Sequence, residues 1–376
     1  MSSLIRSLTD RIIPSTKHQN ATKPGPNGFL TAKGIDALFP RTKAEVDGDD
    51  CLRDCETCTI HYPNKFSIDE EDKLYGEIKG WSRHMIVATG KTDWVRDVED
   101  EAGSVMQAVG KHVSEVEGGR LMLSASNIPT PSAIMGDSDN KGDYERSTRV
   151  LLLPAFQWII GVTPETVPAV IKSAINASPT NTQRTTPTQT NGTLSSTSDL
   201  PSLSSLQISA QSLPDPIALT PCPHKYLILL CSQATRDARC GQSAPLLRRE
   251  LERHLRPLGL YRDIGDERPG GVGIYFISHV GGHKYSANML VYRRAEQART
   301  VAEQMENGTS AGLGGIVGGK AKAVVEGEAA QCIWLARVRP EDCENIVRFT
   351  VLQGKVVKPE KQLRGGFDRE KGVVSW

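Results

Sequence analysis

The sequence predicts an α/β protein in two parts joined by a linker, and three observations carry that prediction. Short apolar runs bounded by Gly and Pro recur along the chain and read as buried strands. Stretches with helical spacing lie between them. Between 178 and about 215 the composition collapses to Ser, Thr, Pro, Gln and Asn. Such a stretch cannot bury enough apolar area to offset its ordering entropy, so it reads as a disordered linker.

The totals narrow the class further. A chain of 376 residues is long enough for two domains with cores of their own. Charge is balanced, 45 Lys+Arg against 44 Asp+Glu, which gives no footprint for nucleic acid. No apolar run is long enough to suggest a membrane span, and no secretory h-region opens the chain. The sequons at Asn20, Asn176, Asn191 and Asn307 are therefore expected to stay unglycosylated. Eight cysteines in a large intracellular chain point to metal or redox chemistry rather than to a disulfide framework.

Residues 1–45 read as a disordered N-terminus. Within them 1–13 could form a short helix with Leu4, Ile5, Leu8 and Ile12 on one face. It looks somewhat like a mitochondrial presequence, although Asp10 and the few arginines weaken the match. Next comes Cys51-Leu-Arg-Asp-Cys55-Glu-Thr-Cys58. The C-x3-C-x2-C spacing is that of radical-SAM enzymes, but the break near 180 leaves no room for their barrel. Adding His61 as a fourth ligand gives a small zinc or iron site. The plain alternative is three surface thiols in a polar loop.

An N-terminal α/β domain is expected over 46–177. Strands are predicted at 84–88 and 150–156, the latter interrupted by Pro154, and helices at 103–113 and 163–177. Gly90-Lys91-Thr92 imitates the end of a P-loop, but position 85 is Met where the motif needs Gly. The Asp-rich run 137–143 imitates a calcium loop, but Lys141 occupies a ligand position and Thr148 stands where Glu is required. Both read as surface features.

After the linker, taken as 178–220, the second domain covers 221–376. It offers strand 225–231, helix 243–256 capped by Ser243 with Pro245 in its first turn, and strands 272–278, 287–292 and 333–338. A Gly/Ala-rich insertion occupies 306–330, and helix 340–352 completes the unit. Strands with a helix near each end suit a thioredoxin-like domain. Trp376 closes the chain on what reads as a mobile segment.

Four candidate ligands lie in this domain, in two close pairs at strand ends. Cys231 and Cys240 bracket one loop; His279 and His283 bracket the turn H-V-G-G-H. The two cysteines are nine apart, and the second domain has no C-x-x-C, so a dithiol oxidoreductase is disfavoured. Gly281 and Gly282 permit a tight turn that aims both rings at one metal. Two thiolates and two imidazoles suit zinc. They equally suit a [2Fe-2S] cluster with thiolates on one iron and imidazoles on the other. Spacing alone leaves the two open.

Three stretches carry a family resemblance: C-S-Q-A-T-R-D-A-R-C-G-Q-S-A-P from Cys231, G-L-Y-R-D at 259–263 and H-V-G-G-H-K-Y-S-A-N at 279–288. T-G-K-T-D-W at 89–94, V-L-L-L-P-A-F at 150–156 and the terminal Trp376 extend it. Together they resemble the sucrase/ferredoxin-like family of fungi and plants, which includes the actin-patches-distal and altered-inheritance-of-mitochondria proteins. The resemblance implies a C-terminal thioredoxin-like ferredoxin domain with a bis-histidinyl [2Fe-2S] cluster. Cys231 and Cys240 would bind one iron, and His279 and His283 the other. It assigns no role to Cys51, Cys55 and Cys58.

The expected function is one-electron transfer or redox sensing with an unidentified redox partner, rather than an enzyme with its own substrate. Arg236, Asp237 and Arg239 are candidates for tuning the cluster. A structural zinc interaction module and a thioredoxin-type thiol oxidoreductase are the alternatives. No carboxylate pair can be assigned to glycoside hydrolysis. Trp376 resembles a C-terminal recognition tag for the cytosolic iron–sulfur assembly machinery. With the weak presequence, this favours the cytoplasm over the mitochondrion.

Overall fold

The computed structural model describes residues 28–130, 147–185, 213, 215–295 and 327–376. The 1–13 helix, the Asp-rich run 137–143, most of the linker and most of the 306–330 insertion lie outside the described residues.

The strands are β1 (Leu30–Thr31), β2 (Arg83–Ala88), β3 (Leu121–Ser126), β4 (Thr148–Leu153), β5 (Gln157–Val162), β6 (Ala218–Pro221), β7 (Tyr226–Cys231), β8 (Tyr261–Arg262), β9 (Val272–Ile277), β10 (Met289–Arg294), β11 (Ala329–Leu335), β12 (Leu363–Asp368) and β13 (Val373–Val374). They form one mixed sheet in the order β1-β13-β12-β11-β10-β7-β9-β3-β2-β4-β5-β6, with β8 paired beside β9. β7 and β9 are parallel, as are β2 and β3, while most other neighbours are antiparallel. The architecture is therefore mixed α/β, as the sequence predicts.

The sheet runs through both parts of the chain. Its joint is the β3–β9 pair, which shares a single register position, Ser126 opposite Ile277. Side chains extend this short ladder. Phe276 N–H donates to Asn127 Oδ1 at 2.8 Å, Ser126 Oγ donates to Phe276 C=O at 2.7 Å, and Ala125 N–H donates to Ser278 Oγ at 3.0 Å.

Alternation along β7 explains why it reads as an unbroken apolar run. Tyr226, Ile228 and Leu230 face the core beneath helix Ala238–Leu255, where Ala244, Leu247, Leu251 and Leu255 meet them. Leu227 and Leu229 face the opposite layer. That second layer draws Ile86, Leu151 and Leu153 from the first part of the chain and Tyr275, Tyr292 and Phe367 from the second. The two parts thus share a core. A third cluster packs helix Val105–His112 and the helical stretch 164–175 onto β2, β4 and β5.

Three expectations are corrected. Helix Ala238–Leu255 starts five residues before the expected position, because Asp237 rather than Ser243 caps it by accepting from Arg239 N–H at 2.9 Å. Pro245 therefore lies inside the helix. β3 and β5 are strands the sequence reading did not include. Trp376 is not at the end of a loose tail. β13 pairs with β12 and β1, and the Trp376 ring lies 4.7 Å from Trp81 and 6.5 Å from Phe367.

Trp81 is the hub of that corner: 2% exposed and edge-on to Trp334 and Phe367. Trp81→Ala is expected to cost ~3 kcal/mol or more, the cost of emptying a buried aromatic site. A lowered denaturant midpoint with an unchanged slope would show it.

Candidate metal centre

The four sequence-predicted ligands come together where parallel β7 and β9 end side by side. Cys231 is the last residue of β7, paired with Ile277, the last of β9. His279 follows two residues later. The earlier start of helix Ala238–Leu255 places Cys240 in its first turn, not in a loop. The positive end of the helix dipole there favours a thiolate. His283 opens a short 3-10 turn, and its ring lies 5.2 Å from that of His279. His279 Nδ1 lies 4.0 Å from Cys231 Sγ. Both thiols are buried and both imidazoles half-buried.

The electrostatics match the geometry. Cys240 is held down to about 5, first by its hydrogen bond with the Cys231 thiol, then by His279 and Ser286, against the opposing effect of burial. Cys231 is pushed well up by the same Cys240 contact and by burial. The contact thus favours the thiolate at Cys240 over that at Cys231. Burial, then His279, pushes His283 down, which favours the neutral imidazole a metal needs. His283 Nδ1 is buried with no hydrogen-bond partner in the protein.

The loop bearing the histidines is clamped from behind. Gly281 and Gly282 adopt φ of 99° and 70°, and a Cβ at Gly282 would meet the Arg364 guanidinium at 2.6 Å. Arg364 Nη1 donates to Gly281 C=O at 2.8 Å and to Asn288 Oδ1 at 3.0 Å. Asn288 Nδ2 donates to Gly282 C=O at 2.9 Å. His279 N–H donates to Gln233 Oε1 at 2.8 Å, and Gln233 Nε2 donates to Val95 C=O at 2.6 Å. The T-G-K-T-D-W segment closes the other side: Ser232 Oγ donates to Thr92 C=O at 2.7 Å, and Thr235 Oγ1 donates to Asp93 at 2.8 Å.

Gln233, Asn288 and Arg364 were not singled out from the sequence. The first two lie within the quoted motifs; Arg364 lies on β12, far along the chain, and gives no local signal. Of the three tuning candidates, Arg236 reaches away to Asp97 at 2.6 Å. Asp237 caps the helix and grips Arg239 at 2.8 Å. These two act on His283 only through charge, Asp237 raising and Arg239 lowering its pKa.

The other cysteine group is not a set of surface thiols. Cys51 packs against Phe349 and Val357. Cys58 is buried, and burial is the main cause pushing its thiol up to about 11. Cys55 Sγ lies near Glu250 and His254, with the ligand atoms all within 4.8 Å of one another. His61 is exposed and takes no part in that group. No disulfide joins any of the eight cysteines. No helix among the described residues is long and apolar enough to cross a membrane.

The sucrase/ferredoxin-like family profile matches residues 74–365. Actin patches distal protein 1 of Saccharomyces cerevisiae is 28% identical over 283 residues, 70% of this chain and 80% of that protein. Altered inheritance of mitochondria protein 32 of Clavispora lusitaniae is 29% identical over 135 residues, 36% of this chain and 33% of that one. Its counterpart in Debaryomyces hansenii is 28% identical over 134 residues, 36% and 34% respectively. No solved structure matches the chain.

Proposed function

The chain belongs to the sucrase/ferredoxin-like family, and on that premise we propose that it is a [2Fe-2S] protein acting in one-electron transfer or redox sensing, with Cys231 and Cys240 on one iron and His279 and His283 on the other. The observation that carries this reading is the meeting of the four donors at the ends of β7 and β9, with a thiolate ready at Cys240 and a buried, unpartnered nitrogen on His283. When bound, such a cluster takes up and releases one electron, at a higher potential than a four-thiolate cluster because two imidazoles replace two negative ligands. The chain's own residues fix the donors. The helix N-terminus favours the Cys240 thiolate, Arg364 and Asn288 hold the histidine turn, and Gln233 anchors the His279 backbone. Each histidine keeps a second ring nitrogen that can hold or release a proton, so metal binding is linked to pH.

A thiol oxidoreductase is the reading that the low Cys240 pKa would otherwise favour. Cys240 is 0% exposed, however, so a substrate disulfide has no path to it. The free cysteines suit a reducing compartment, which we take to be the cytoplasm, with the mitochondrion as the alternative that the relatives' name suggests. Recognition of Trp376 by an assembly factor would require β13 and its ring to leave Trp81.

The test is anaerobic purification of the full chain, followed by iron and acid-labile sulfide assays with visible and electron paramagnetic resonance spectra. Iron and sulfide in equal amounts, with a reducible visible chromophore, are expected. Protein without iron would overturn the reading. Replacing both His279 and His283 by Cys should keep a cluster and lower its potential, measured by redox titration.

A further inference from the structure

We infer that the chain carries a second, separate metal site, for a zinc-like divalent cation, held by Cys55, Glu250 and His254 with Cys58 as the fourth donor. Two spacings meet here. Cys55 and Cys58 form a C-x2-C knuckle, the usual half of a structural zinc site. Glu250 and His254 are four apart on helix Ala238–Leu255, so they share a face one turn apart. Neither half suffices alone, and only the fold brings the loop to the helix.

The distances fit a tetrahedral ion. Bonds of about 2.0–2.3 Å require ligand atoms about 3.5 Å apart. Cys55 Sγ lies 3.9 Å from His254 Nε2, and His254 Nε2 lies 3.2 Å from Glu250 Oε1. A cationic nitrogen already lies among them. Arg253 Nη2 is 3.3 Å from Cys55 Sγ, 2.5 Å from Glu250 Oε1 and 3.0 Å from His254 Nε2. The three donor atoms thus converge on one positive charge. The Arg253 side chain is 41% exposed, whereas Glu250 is fully buried.

Glu250 supplies a second, independent observation. Its Oε2 is buried, and the contacts from Arg253 and His254 all fall on Oε1. A buried carboxylate is costly unless it is paired and fully hydrogen-bonded, and the arginine satisfies only Oε1. Burial opposes the charge on Glu250, but Arg253 and then the Cys58 thiol hold its carboxyl below the ordinary range. Cys58, three residues from Cys55 and beside the Glu250 carboxyl, is the donor at hand for the fourth position. Cys55 and Cys58 precede the family-matched residues, whereas Glu250 and His254 lie within them. Cys240 and Glu250 are ten residues apart, so the two centres would stand about 15 Å apart along one helix. The second would staple segment 51–58 to it.

The alternative is an ion-pair cluster of Glu250, Arg253 and His254 that is complete without metal. Purification of the full chain without chelators, with zinc and iron measured per chain, separates the two. One zinc per chain is expected in the wild type. The Cys55→Ser/His254→Gln double variant should lose zinc and keep its iron, and Cys231→Ser/Cys240→Ser should keep its zinc whatever becomes of iron. Failure of this site and failure of the cluster are therefore read on different metals. If the first double variant does not fold, cobalt(II) titration of Arg253→Gln decides. Removal of the competing cation should tighten binding about tenfold and give the visible bands of a tetrahedral thiolate–cobalt complex. Substoichiometric zinc in the wild type, zinc unchanged in the Cys55/His254 variant, or no tetrahedral cobalt spectrum in Arg253→Gln would each overturn the proposal.

Discussion

The Cys240→Ser protein is expected to purify without iron, acid-labile sulfide or visible colour, its fold unchanged. Cys240 is the donor already poised as an anion: its thiol is held down to about 5, chiefly by the Cys231 hydrogen bond. A serine hydroxyl at the same position stays protonated and makes a poor iron ligand, so one iron would lose half of its protein ligands. The fold should survive, because the Ser286 hydroxyl 3.5 Å away can still pair with a hydroxyl and helix Ala238–Leu255 is held by its leucine stripe. Far-ultraviolet circular dichroism would confirm this. Cys332→Ser is the control. Cys332 is equally buried but packs in the layer shared by Trp334 and Phe367, so its iron should be retained. Full iron in Cys240→Ser would mean that Cys240 is not a ligand.

The elements that the sequence revealed were those whose local pattern matches their final environment. β7 and β9 are buried on both faces, so their apolar runs are continuous and their ends, with Cys231 and His279 beyond them, were legible. β3 was not, because Ser124 and Ser126 interrupt it, and both prove to be hydrogen-bonded, to His84 and to Phe276 C=O. The continuity of the sheet was hidden for the same reason: the β3–β9 joint is made largely by Asn127, Ser126 and Ser278, which read as loop residues. The helix start at Ala238 depended on choosing Asp237 over Ser243 as the cap. That choice matters to the chemistry, since it turns Cys240 from a loop cysteine into one at a helix N-terminus. The same limit explains His61. From the sequence it is the nearest histidine to Cys58, yet His254, nearly two hundred residues away, is the one the fold brings to Cys55.

Acid should unfold this protein through two buried histidines before its carboxylates titrate. His84, on β2, lies between Tyr292 Oη at 3.1 Å and Ser124 Oγ at 2.9 Å, and burial pushes it down to about 3. His224 pairs with Tyr275 Oη at 2.9 Å, and burial, aided by Arg262, pushes it down to about 4. Both are ordinary histidines in the unfolded chain, with pKa near 6.5. Below that pH the unfolded state binds protons that the folded state refuses. The stability the two residues contribute is therefore complete above pH 6.5. It falls as pH drops, until the folded histidines themselves protonate near 3 to 4. Each histidine contributes a slope approaching ~1.4 kcal/mol per pH unit, so the pair should remove on the order of 4 kcal/mol between pH 6.5 and 4.5. Carboxylates such as Asp50 and Asp69 are held below the ordinary carboxylate range, by the Arg348 hydrogen bond and by the Asp72 backbone N–H respectively, and act below this window. Denaturant midpoints measured every half pH unit from 7.5 to 4.5 would show the fall. His84→Gln can keep one hydrogen bond without titrating, so it should lose stability at pH 7.5 yet show about half the acid slope. The His84–Tyr292 contact links β2 to β10, across the layer both parts of the chain share, so its protonation should loosen that shared core first. A His84→Gln/His224→Gln protein whose midpoints fall with pH as steeply as the wild type's would sink this account.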